Sequence, residues 1–159
     1  MKLKLAIALT LAASQASALS CIPTDAAWTY TQAAESEDRY YFVRGALDPE
    51  ASVAAPGVNA DGGVSHHRTA TTRVHLSGHS LTKNGFDQPF DSEINVEISC
   101  VSIWCGGAPS GEFIAALRIS DFEPILEIGP CGGFVLPAEQ KHIDQILACH
   151  RGEECKPAF

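Results

Sequence analysis

Hydrophobic residues recur at alternate positions in five places along the chain, and a period of two is that of half-buried β-strands. Residues 40–47, YYFVRGAL, are aromatic and β-branched, and predict a first strand with Tyr41, Val43 and Leu47 on one face. In residues 71–82, Arg73, His75, Ser77 and His79 share one parity while Val74 and Leu76 take the other; Gly78 is a candidate bulge there, because Leu81 breaks the phase. Lys83-Asn84-Gly85 then reverses the chain with residues that tolerate positive φ. From 93 to 100, Ile94, Val96, Ile98 and Cys100 share a face, after which Val101, Ile103 and Cys105 take the opposite one. No single strand keeps both sets inward, so a bulge or sharp bend is expected between 99 and 102. Residues 112–119 alternate through Phe113, Ala115, Leu117 and Ile119, and form a hairpin with 123–128 around Ser120-Asp121.

Two segments read as helices. Residues 24–37 have Thr24 in cap position and helix formers at Ala33 and Ala34, and a helix over 138–150 places Ile143, Ile146 and Leu147 on one side. Residues 48–70, rich in Ala, Gly, Pro and Asn and without periodicity, are expected to be a flexible loop. Five strands with short late connections, and no strand–helix alternation, predict a mainly β fold: a small antiparallel barrel or sandwich with a short N-terminal helix and a C-terminal helix. The bend near 99–102 favours a barrel, since small barrels need strongly bent strands.

Composition adds a compartment. A chain of 159 residues with 45% hydrophobic and 19% charged side chains suits a single globular domain. Residues 1–18 carry two lysines, an apolar run from Leu5 to Ala13 and the small-residue exit Ala16-Ser17-Ala18, the pattern of a secretory signal peptide too short to span a bilayer. Its removal leaves residues 19–159, with nine basic against nineteen acidic side chains and a net charge near −10. Such a surface repels phosphate backbones, and no basic cluster offsets it, so nucleic acid is not an expected partner. Ala18-Leu19-Ser20-Cys21 loosely matches a lipoprotein cleavage box, but Leu19 fits it poorly and acylating Cys21 would strand one of six cysteines, so a lipid anchor is not expected.

Six cysteines allow fifteen pairings. Five residues of straight strand span about 17 Å, whereas a bridge needs Cα atoms about 4.4 to 6.8 Å apart, so Cys100 and Cys105 pair only if the chain folds over between them. The phase break permits that. Cys149 and Cys155 enclose a polar, glycine-containing segment that closes easily as a loop, which leaves Cys21 for Cys131. No Cys-x-x-Cys occurs, which argues against a redox enzyme.

Cys21-Ile22-Pro23, the strand YYFVRGAL, Trp104-Cys105-Gly106, Glu112-Phe113-Ile114-Ala115, and Cys131 followed by Phe134-Val135 and Pro137 resemble, in order, the netrin-like domain of the tissue inhibitors of metalloproteinases. The resemblance implies a five-stranded OB barrel flanked by helices, with Cys21 bonded to Cys131. It does not carry the family's mechanism across. Those inhibitors chelate a protease zinc through an N-terminal cysteine, and the position two before Cys21 is Leu19. The family partner of Cys105 is that missing residue, which frees Cys105 for Cys100.

Candidate chemistry is sparse. His66, His67, His75 and His79 invite a metal-binding or metal-assisted hydrolytic reading, yet His75 and His79 stand about 13 Å apart on an extended strand, too far for one zinc. Asp87, Asp91 and Glu93 lack a dense calcium loop. Ser110 lies in GAPSGE, which is not a nucleophile elbow, and Cys105 beside Trp104 reads as a bridged cysteine rather than a thiol nucleophile. Trp104, Gly106 and Gly107 are the candidate contact surface, because glycine lets a backbone approach closely and Trp is favoured at interfaces; the plainer reading of Trp104 is core packing beside a disulfide. The expectation is an exported, non-enzymatic binding module with an unidentified protein or small-molecule ligand, no cofactor and no membrane span.

Overall fold

The computed structural model describes residues 20–53, 56 and 67–157. The expected signal peptide and most of the expected 48–70 loop lie outside them. In chain order the elements are α1 (Ala26–Glu35), β1 (Arg39–Leu47), β2 (His67–Thr82), β3 (Gly85–Val101), β4 (Trp104–Cys105), β5 (Phe113–Ser120), β6 (Glu123–Ile128), β7 (Val135–Pro137) and α2 (Gln140–His150). Five strands close a barrel in the order β1-β2-β3-β6-β5, with β5 returning to β1. This is an OB-like arrangement. It is not wholly antiparallel as the sequence suggests: β3 and β6 run parallel, Asn95 opposite Ile125 and Ile98 opposite Ile128.

β1 closes the ring because it pairs on both edges. Val43, Arg44 and Gly45 face Ser80, His79 and Gly78 of β2 and, on the other edge, Ala115, Ile114 and Phe113 of β5. Gly45 and Gly78 stand directly opposite each other, and their bare Cα atoms let the strands pass: a Cβ on Gly45 would lie 2.3 Å from the Ser77 carbonyl oxygen, and one on Gly78 2.1 Å from that of Arg44. Gly78 is therefore a site of close approach rather than a bulge. The bulge falls two residues later, between Ser80 and Leu81, with the extra residue Asp87 on β3, and Leu81 keeps its own parity and packs with Phe86 on the outer face of the barrel.

Inside the barrel, Val43, Leu76, Ile94, Val96, Phe113, Leu117 and Leu126 form one core, flanked by Tyr41 and Leu47. The other parity of β1 and β5 is also buried: Phe42, Ile114 and Ala116 pack against Ala26 and Ala33 of α1, Ile143 and Ile146 of α2, and Leu136 of β7. Strands covered on both faces lose strict alternation, which is why Ile114 and Ala116 are as buried as their neighbours. α1 is capped by Asp25, not Thr24; its carboxylate accepts from the Trp28 N–H at 2.9 Å. Both β2 and β3 extend beyond their predicted ends, pairing from His67↔Val101 to Thr82↔Gly85. Pro89, in that added stretch, has an exposed side chain in β3. The β5–β6 hairpin turns on Asp121 and Phe122, at φ 49° and 69°.

The three tyrosines of the chain, Tyr30, Tyr40 and Tyr41, all have phenols pushed above the ordinary value by burial, with Glu127 and Asp38 adding to the effect at Tyr40. A raised phenol stabilises the fold while it is neutral, and that stability is lost as pH rises through the folded value. Absorbance titration of the native protein should therefore show no tyrosine ionising with a midpoint at or below pH 10.0, while guanidinium returns all three to the ordinary value. Gly45→Ala and Gly78→Ala should each lower unfolding free energy by about 3 kcal/mol in urea. Gly107→Ala, which meets nothing within 4 Å, should leave it nearly unchanged.

Candidate functional site

Where the sequence changes phase after Cys100, the chain folds over completely. β3 ends at Val101, Ser102 takes φ 55°, and β4 pairs back so that Cys105 faces Cys100 and Trp104 faces Val101. The expected bend is a hairpin tip. A disulfide joins Cys100 to Cys105, whose Cα atoms are 3.9 Å apart because the two residues are direct cross-strand partners. The tip is held from behind by Arg68, whose guanidinium donates to the carbonyl oxygens of Ser102 at 2.8 Å and Pro56 at 3.3 Å. Its apolar side chains point outward, Val101 41% exposed, Ile103 71% and Trp104 45%. Trp104 is thus no core residue.

Gly106 and Gly107 part company. Gly106 donates its N–H to the Ser99 carbonyl oxygen at 3.0 Å and lies so close to β6 that a Cβ would sit 2.4 Å from the Ile128 carbonyl oxygen. It docks the hairpin onto the barrel end, while Gly107 stands in the open. Two residues beyond Gly129, Cys131 is bonded to Cys21, with Cα atoms 5.4 Å apart. This bridge fixes the segment leading into α1 against the same end, with Ile22 69% exposed. Beside it lies an open, mainly apolar cleft of about 310 Å³ between Ile22, Pro23, Trp28 and Gly133. The third disulfide, Cys149–Cys155, folds the tail back over the end of α2.

Sequence reasoning overlooked what these segments have in common. Residues 20–24, 98–111 and 128–138 contain no charged side chain, in a chain where 19% of residues are charged. The blanks are visible in the sequence, but their convergence at one end of the barrel is not. That end holds two disulfides, and among the described residues Ile22, Val101, Ile103 and Trp104 are large hydrophobic side chains exposed on it.

The other candidates do not assemble. His75 hydrogen-bonds Asp91 across the β2–β3 ladder at 2.6 Å, and Glu93 stands opposite it. His79 faces Pro89, His66 lies outside the described residues, and His67 is placed only by its backbone at the start of β2. Among the described residues no cluster of three or more His, Cys, Asp or Glu is arranged to hold a metal ion. Asp87 accepts from the Thr82 hydroxyl beside the β2–β3 turn. Cys105 is bridged and has no thiol to act as a nucleophile. Ser110 lies in the connection before β5, where with Ala108 and Pro109 it lines a shallow cleft against Leu47 and Ala51. No helix among the described residues is long and apolar enough to cross a membrane. Comparison of the chain with family models, curated proteins and solved structures finds no match.

Three disulfides and no free cysteine point to an oxidising, exported environment. The bridges differ in the chain they enclose, 110 residues for Cys21–Cys131 against six for Cys149–Cys155. Replacing the first pair by alanine should cost about 4–5 kcal/mol and the second about 2, if loop entropy governs. Urea unfolding of the two double variants checks the order, and equal losses would exclude that account.

Proposed function

We propose that this chain is an exported, non-enzymatic binding module of netrin-like type, and that it meets its ligand with the disulfide-bound β3–β4 tip at this end of the barrel. One observation carries the reading. A two-residue turn is stapled by sulfur, pinned by Arg68, and used to hold Ile103 and Trp104 out in solvent. A side chain exposed in that way contributes little to folding, so the rigid support serves contact.

The netrin-like part is supported by the quoted motifs, by closure of five strands in OB order, and by the bridge from the N-terminal segment to Cys131. Export is supported by the leader pattern of residues 1–18 and by the disulfides. The zinc-chelating mechanism of the metalloproteinase inhibitors forms no part of the reading, because Leu19 stands where their N-terminal cysteine would be.

If Ile103 is kept for contact, Ile103→Ser should change unfolding free energy by less than about 0.5 kcal/mol. A loss of about 2 kcal/mol or more there would return the side chain to the fold and remove the basis of the reading. Intact mass should find an exported chain that begins at Leu19, carries three bridges and bears no acyl group.

A further inference from the structure

Resting on that reading, we propose that the β3–β4 tip docks on the surface of a zwitterionic lipid bilayer, with Ile103 and Trp104 entering the interface between headgroups and acyl chains. Three features of the tip select a lipid surface. First, it projects only apolar and hydroxyl side chains: from Ile98 to Gly111 there is no charge to desolvate. Second, part of its backbone is already paired. Val101 and Trp104 form a ladder, the Gly106 N–H is taken by Ser99, and the Ser102 carbonyl oxygen is taken by Arg68. Peptide groups satisfied within the protein can leave water at little cost, which is the condition an apolar medium imposes.

The third feature is size. From their fractional exposures, Ile22, Val101, Ile103 and Trp104 together offer on the order of 400 Å², about half of what one partner contributes to a standard protein–protein interface. A bilayer asks for no matched surface of that extent. It accepts a projecting knuckle, and Trp with branched aliphatics is the composition favoured at its interface. Lipid type follows from charge. With nineteen acidic against eleven basic residues, and fewer basic ones still once the leader is gone, the protein is repelled by anionic membranes. A neutral surface approached by the uncharged tip meets no such barrier.

The test uses the processed protein with Trp28→Phe, which leaves Trp104 as the reporter, and phosphatidylcholine vesicles. Trp104 emission should shift to the blue, brominated phosphatidylcholine should quench it, and added salt should leave partitioning unchanged. Ile103→Asp should weaken partitioning about tenfold or more, whereas Phe122→Ala, at the opposite end of β6, should not. A protein that stays in solution, or that binds only anionic vesicles in a salt-sensitive way, overturns the lipid assignment. Sedimentation velocity then separates the two readings. A dimer dispersed by Ile103→Asp would keep the tip as a binding surface with a second copy as its occupant, while a monomer indifferent to vesicles would overturn the lipid assignment and leave the contact role to be decided by the Ile103→Ser stability measurement.

Discussion

The double pairing of β1 is the constraint on which the rest of the molecule depends. A sheet of five strands has two edges, and only a strand hydrogen-bonded on both sides can remove them. Val43, Arg44 and Gly45 do this, bonding β2 and β5 at the same three positions. To do so, β2 must coil across β1 at a separation that a Cβ would prevent, and Gly45 opposite Gly78 supplies the gap. Opening that contact would expose the interior that Leu76, Val96, Phe113, Leu117 and Leu126 fill.

Closure also settles what the helices are for. Once β1 and β5 lie side by side, their outward faces present Phe42, Ile114 and Ala116 together, a patch that no single strand carries. α1 and α2 cover it from opposite ends of the chain, joined where the Tyr30 hydroxyl meets His150 at 3.1 Å and the tail is tied by Cys149–Cys155. Burial on this side raises the Tyr30 and Tyr40 phenols, so the fold should weaken in strong base as they are forced to ionise. The helices are cladding for the barrel, and the molecule has two apolar layers rather than one.

The end of the barrel near β4 obeys a different economy. Two disulfides, a docked glycine and an arginine on a turn carbonyl hold a few residues in one shape, and those residues then point away from the core. Elsewhere the exposed faces carry ion pairs, such as Arg44 with Glu112 and Arg73 with Glu123. Exposed pairs of that kind add little stability and keep an acidic protein soluble. A rigid, apolar tip set among such faces is the arrangement expected of a contact surface.

Much of this was legible in the residues taken alone. Alternation located the five barrel strands and the apolar stripe located α2, because both record which side of an element meets water. The change of phase after Cys100 called for a sharp bend, and short loop lengths with cysteine parity left the sulfur pairs found here. Other features depended on residues distant in the chain. The parallel β3–β6 pairing, the close approach at Gly78 in place of a bulge, the added length of β2 and β3, and the exposure of Trp104 each follow from what lies alongside. A local pattern reports that a side chain avoids water or tolerates it, but not which neighbour supplies the shelter. Three uncharged stretches can be read in the sequence; that they share one end of a barrel was decided only when the ring closed.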